Sequence, residues 1–295
     1  MDRDDLDRLS WQYACRIVKR ADREVRPGRK RPVFSDVLIV LMFLWAVRHE
    51  RTMRWACQHG SYHSLFRPRR LPDPSTFCRR RRSARCLAIL RRAHELAADV
   101  ERGTPITHLD AKPLPVGSCS KDKEAKAGRI TGGFARGYKL HALTTEDGRI
   151  PVWSVQPMNV DERKVARVLI EHGPPLDLMI ADANYDAMYL YGDVAQKGGA
   201  LLTPVRQPPN TPKAWKRNCS ARLEALEAWE PWSIGAHVYG ERLQVERIFA
   251  HATGYAGGLG PLPAWVRTWA RVTYWVGAKL LLYHARLAVR TAQAA

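Results

Sequence analysis

At 295 residues and 33.5 kDa, the chain can hold one large domain or two ordinary ones, and its 45% hydrophobic and 26% charged residues are ordinary globular values. The charge is not ordinary: 48 Lys plus Arg against 29 Asp plus Glu give a net charge of +19, which points to a polyanionic partner, nucleic acid before anionic membrane. Six cysteines without a C-x-x-C pair exclude a disulfide framework and read as reduced thiols in a cytoplasmic protein.

Residues 1 to about 100 read as all helix. In "LDRLSWQYACRIVKRAD" the apolar residues Leu6, Leu9, Tyr13, Ile17 and Ala21 recur every three to four positions, which predicts one amphipathic helix that Pro27, Gly28 and Pro32 end. The acidic, polar first residues carry no signal-peptide pattern. Ser35 is the expected N-cap of the apolar run to Val47, which is about half the length needed to span a bilayer and should lie at the centre of a helical domain. A third helix, "TMRWACQH", would close at Gly60. Cys57, His59 and His63 lack a second paired cluster of ligands, so scattered helix residues are a better reading than zinc.

In "RPRRLPDPSTFCRRRRSARC", Pro72 and Pro74 block a helix and Ser75 can cap a new one, whose first turns carry Arg79, Arg80, Arg81, Arg82 and Arg85. Two short helices with the second strongly basic suit a helix-turn-helix facing DNA, although consecutive arginines cannot all face one groove. Some would contact phosphates, which position a protein without specifying sequence.

The pattern changes at "ERGTPITHLD". A strand from Ile106 to Leu109 ends at Asp110, and a polar, basic loop follows with Lys112, Lys121, Lys123 and Lys126 as phosphate contacts or solvated charge. Two alternating strands, "GYKLHALTT" and "RIPVWSVQP", are joined by a turn at Glu146, Asp147 and Gly148. Lys139 and His141 share one face of the first, open either to DNA or to solvent. Asp161 caps a helix to about His172, the buried strand before Asp182 follows, and then a helix from about Ala187 to Lys197 and the strand "ALLTPV". The order is that of a mixed sheet with helices on its faces. A basic, Pro-rich insertion at about 204–236 interrupts it, "YGERLQVERIFAHA" is helical, and a long amphipathic helix runs from Ala264 to about Thr291. On that last helix Trp265, Trp269 and Trp275 form a stripe suited to a core or dimer contact.

Three acids stand out. Asp110 and Asp182 each close a strand, where ligands gather in open sheets, and Glu246 lies on the helix after the insertion with Arg242 four residues before it. Taken singly they could be a turn, a helix cap and a surface ion pair. Three carboxylates meeting at one point need cations between them, and oxygen-only ligands select hard ions.

With its acids in this order, the chain resembles the DDE-type transposases of bacterial insertion sequences. "DANYD" stands where one large group of them carries a D-x-G-Y/F-like motif, with Asn184 at the usual glycine. Tyr239, Arg242 and Glu246 match that group's Y-x2-R-x3-E-x6-K signature, whose final lysine is here Thr253. The resemblance covers about Thr104 to Tyr255 by motif. It implies an α/β fold: an RNase H-like mixed five-stranded sheet flanked by helices, preceded by an all-helical DNA-binding domain. The domains would be 1–100 and 101–295, the second including the insertion and the C-terminal helix. By the same resemblance Asp110, Asp182 and Glu246 would hold Mg2+ or Mn2+, two ions in all. Tyr239, Arg242, Lys139 and the arginines at 79–82 and 85 would meet DNA, the partners being double-stranded transposon ends and target DNA bound by a homodimer at the nucleoid. Metal-dependent cleavage at transposon ends and strand transfer of the 3'-hydroxyl would follow. The alternatives are an RNase H-like nuclease without strand transfer and a non-catalytic DNA-binding relative. Asp186 reads as a helix cap, and Tyr185 as either a packed ring or a base-stacking one.

Overall fold

The computed structural model describes residues 2–26, 32–130, 132–205, 218–230, 232–255 and 258–294, which form two compact units, 1–99 with 252–295 and 100–251. Part of the expected basic insertion, residues 206–217 and 231, lies outside the described residues.

The first unit is helical: α1 (Arg3–Glu24), α2 (Asp36–Arg48), α3 (Pro74–Arg81), α4 (Ala84–Ala98) and, from the far end of the chain, α10 (Trp269–Ala294). Ser35 caps α2 as expected, its hydroxyl accepting from the Leu38 N–H at 3.2 Å. Ile39 through Val47 are all buried, at roughly 1.5–3 kcal/mol for each large aliphatic or Phe side chain. An all-round apolar helix must sit at the centre, and α1, α4 and α10 pack around it. Trp11 lies edge-on to Trp45 at 4.9 Å, and the Trp45 indole donates to the Ser61 carbonyl at 2.9 Å.

Three expectations change here. The helix expected over "TMRWACQH" is instead two 3-10 turns, Trp55–Cys57 and His59–Ser61. The Ser61 hydroxyl takes the Trp55 carbonyl and the Tyr62 hydroxyl the Ala56 carbonyl, which uses up acceptors that a continuing helix needs. The basic helix starts earlier than Ser75: Asp73 caps it, accepting from the N–H groups of Ser75 and Thr76 at 2.9 and 3.0 Å, with Pro74 as first helical residue. The C-terminal helix, expected with the sheet domain, packs on α1, α2 and α4, with Lys279 donating to Glu50 at 2.8 Å and Arg286 paired to Asp7. Its buried apolar face finds a matching apolar surface on helices far away in sequence, but Trp265 precedes the helix and stays exposed with Trp269, so of the three expected stripe tryptophans only Trp275 is buried.

The second unit is built on one mixed sheet: β1 (Thr104–Pro115), β2 (Lys126–Ile130), β3 (Gly133–Thr145), β4 (Val152–Pro157), β5 (Leu176–Ala181) and β6 (Ala200–Leu202). β3 pairs antiparallel with β1 on one edge and with β2 and β4 in succession on the other, while β1, β5 and β6 run parallel. Setting β2 aside, five strands remain in the RNase H-like arrangement that the resemblance implies. β2 is the addition: five residues of the expected basic loop pair with β3, and β1, expected to end at Asp110, runs on through it to Pro115 because β3 continues to pair with it. Gly137 allows that pairing, because a Cβ there would stand 2.3 Å from the Leu114 carbonyl oxygen.

Helices α5 (Glu162–His172) and α6 (Met188–Gln196) cover one face of the sheet. Leu109, Leu143, Met179 and Ala181 of the strands meet Val165, Leu169, Leu190 and Val194 in one buried cluster. Asp161 caps α5 as expected, accepting from the Arg163 N–H at 3.0 Å. Among the described residues three further helices follow: α7 (Ser220–Glu227), α8 (Gly235–Tyr239) and α9 (Leu243–Thr253), with a 3-10 turn, Gly240–Arg242, leading into the last. Among the described residues no helix is long and apolar enough to cross a membrane.

Candidate active site

The parallel pairing of β1 with β5 sets Leu109 opposite Ala181, and the next residue on each strand is an acid, Asp110 and Asp182. Both line one open cleft of about 1170 Å³, together with Lys112, Lys139, Glu162, Arg242 and Glu246. The sheet holds both backbones, so neither carboxylate has to be gathered from a flexible loop.

The two acids differ in surroundings. Asp182 caps the 3-10 turn Ala183–Tyr185, accepting from the Asn184 backbone N–H at 2.8 Å and its side-chain amide at 3.1 Å. Asn184, which replaces the usual glycine, thus serves the acid directly. The Thr203 hydroxyl holds the Asp182 carbonyl at 2.6 Å. Burial pushes the Asp110 carboxyl up to about 6, and the nearby charges of Asp182 and Glu162 push the same way against its own Ala111 N–H and Arg242. Beneath them Tyr185 is fully buried, so a packed ring is the reading that holds and base stacking is not.

Arg242 stands between the remaining partners. Its guanidinium lies 3.8 Å from Asp110 and 3.4 Å from Glu246. Tyr239 packs edge-on against Trp229 at 5.2 Å; burial raises its hydroxyl pKa, and Asp182 and Asp110 are close enough to add to that. Of the three signature residues, Arg242 and Glu246 line the cleft that holds Asp110 and Asp182. Among the described residues no group of three or more His, Cys, Asp or Glu side chains is arranged to hold a metal ion, and Glu246 meets the arginine instead of the other acids.

Two features of the cleft were not legible as chemistry. Lys139, expected as a DNA contact, is buried and paired with Glu162 from the first turn of α5. Asp186, expected as a helix cap, is not one: the N-cap of α6 is Ala187, which offers no side-chain cap. Its carboxylate makes a buried two-point ion pair with Arg222 of α7, 3.0 Å at each contact, and accepts from the Tyr191 hydroxyl at 3.0 Å. The pair ties α7 to the turn that carries Asp182. Its only advance signal was an arginine in a helix-prone segment after the insertion.

The expected DNA-facing arginines separate into different roles. Arg80 pairs with Asp36 at 2.6 Å, and Arg85 pairs with Asp36 at 3.0 Å and with Asp22. Arg81 is buried, while Arg79 and Arg82 face solvent. Of the loop lysines, Lys112 is a strand residue on the cleft wall, and Lys126 begins β2.

Residues 101–259, more than half of the chain, match the family model described as the transposase DDE domain. No curated protein matches the chain.

Proposed function

Starting from a chain that belongs to the DDE-domain transposase family, we propose that it binds double-stranded DNA and breaks phosphodiester bonds at the cleft of Asp110 and Asp182. In a complex of two copies on transposon ends, the freed 3'-hydroxyl would then be joined to target DNA. The observation that carries this reading is the register of β1 and β5, which brings two acids from distant parts of the sequence side by side, Asp110 within β1 and Asp182 just past the end of β5.

The family implies divalent cations, and the donor set is suited to them in part. Asp110 and Asp182 are hard oxygen donors, and the raised pKa of Asp110 reflects burial and like charge that a cation would relieve. Bound there, Mg2+ or Mn2+ would activate the attacking oxygen and neutralise charge growing at phosphorus. Asp110 and Asp182 would hold the ions, and Glu246 would join them once Arg242 turns to a phosphate of the DNA. An arginine fork pairs with phosphate oxygens as well as with carboxylates, so DNA itself competes for Arg242. Tyr239, one turn before it, would help seat the strand.

A second reading has its own observation: the described acids do not form a three-carboxylate group, and Arg242 occupies the space between Asp110 and Glu246. That favours a nuclease that cuts without joining, or a DNA-binding relative that does neither. One experiment separates them. Purified protein is incubated with Mn2+, labelled duplexes bearing the DNA that flanks its own gene, and a target plasmid. Joined products support transposition, cut products alone support the nuclease, and binding without cutting supports the non-catalytic relative. Cleavage retained in Asp182→Ala would remove Asp182 from the proposed site.

A further inference from the structure

The helical unit contains a cavity of about 170 Å³, several times the roughly 30 Å³ one water occupies in the liquid. Its walls come from α2, the end of α3 and the start of α10, and they include Phe43, Arg81, Arg82, Trp265, Arg271 and Trp275. Among the described residues three arginines and no carboxylate line it.

Arg81 is the unusual member. It is only 9% exposed, and its Nε has no hydrogen-bond partner. Among the described residues it forms no ion pair, whereas Arg80 and Arg85 on either side are both held by aspartates. Its guanidinium lies over the Phe43 ring, 4.8 Å from the centroid, a contact that attracts the charge but accepts no N–H bond. Burial lowers its pKa, and the charges of Arg82 and Arg271 press the same way. A buried guanidinium nitrogen without an acceptor is costly, and among the described residues no aspartate supplies one here. An anion in this cavity would meet both the charge and the free N–H.

Its other walls narrow the choice of anion. Trp275 is buried, while Trp265 at the rim is 44% exposed, leaving part of its indole free for a flat ring. Arginine forks match phosphate oxygens, and an indole face stacks on bases of any identity. We propose that this cavity is a nucleotide site, with the phosphate held by Arg81, Arg82 and Arg271 and the base against Trp265. The nucleotide is either part of a DNA strand or free. The site lies wholly within the helical unit and does not depend on chemistry at the Asp110 cleft.

Calorimetry on the full-length protein without divalent cations tests it, using thymidine monophosphate, thymidine and a short 5'-phosphorylated single-stranded oligonucleotide. The monophosphate should bind at least about tenfold more tightly than thymidine, the ratio expected for one charge-assisted contact. Arg81→Met, which keeps the stem on Phe43, and Arg271→Gln, at an exposed position, should each remove about that factor. Displacement of the monophosphate by the oligonucleotide assigns the site to a DNA strand, and failure to displace assigns it to a free nucleotide. Equal binding of thymidine and its monophosphate would overturn the proposal, as would unchanged affinity in the variants. Should Arg81→Met not fold, Arg271→Gln decides alone. DNA cleavage measured in parallel separates this result from the fate of the cleft.

Discussion

Asp110 and Asp182 are neighbours because Leu109 and Ala181 are paired across parallel strands. Seventy or so residues of chain separate the two acids, yet a single sheet register sets them at the same depth of one cleft. What that proximity does for the molecule leads to four expectations.

Removing either acid should separate binding from cutting. Asp110→Asn and Asp182→Asn each delete one negative charge at nearly constant volume. Cleavage of labelled duplex should fall by on the order of 10³-fold or more, since several kcal/mol of charge stabilisation are lost. Retention of the duplex in a gel-shift assay should be unchanged, because the net charge of +19 is spread over the chain.

Metal binding should register as stability. Mn2+ at about 100 times its dissociation constant should stabilise the protein by roughly 2.7 kcal/mol, seen as a rise in Tm, and Asp182→Asn should abolish the rise. In Arg242→Ala the metal-free protein should lose the guanidinium that contacts both Asp110 and Glu246. Its Tm gain on adding Mn2+ should therefore exceed that of the parent. An equal or smaller gain would show that Arg242 does not compete with the ion.

The Asp186–Arg222 pair is buried on both sides, with the side chains 4% and 9% exposed. Arg222→Ala would leave an uncompensated carboxylate, at a cost of about 3–5 kcal/mol in urea unfolding. Because Asp186 follows the turn that carries Asp182, the variant should also lose cleavage. Replacing both partners together with apolar residues should recover stability without recovering cleavage, since the aspartate turn would remain unanchored.

His141 provides a pH test. It is fully buried on β3, with neither ring nitrogen bonded, and burial, then the charge of Lys139, lowers its pKa from 6.5 to about 4. Between those values the unfolded chain binds the proton and the folded chain does not, so stability falls as pH drops from 6.5 towards 4. The loss is up to about 3 kcal/mol. Tm should fall less between pH 7 and pH 5 in His141→Leu than in the parent; parallel curves would remove His141 as a source of acid sensitivity.

Local signals in the sequence carried much of the architecture. The apolar run from Val37 and the cap at Ser35 announced a central helix, the alternation in "GYKLHALTT" a strand, and Asp161 a helix start, because each depends on residues within one or two turns. Asp110, Asp182, Arg242 and Glu246 could be picked out by strand ends and by a spaced signature. Their presence in one cleft follows from strand order, which no local pattern states. Pairing decisions were the least visible: β2 was hidden by its basic residues, Lys126 and Arg129, since an edge strand is defined by the partner it finds. The same reason hid the roles of the charged side chains. Arg80, Arg81 and Arg85 look alike in sequence, but Asp36 and Asp22 neutralise two of them and a cavity holds the third. Composition and periodicity by themselves determined most helices, most strands and a strongly basic molecule. Only tertiary structure decided which charges meet, because ion pairing depends on distances of a few ångströms between residues tens to hundreds of positions apart.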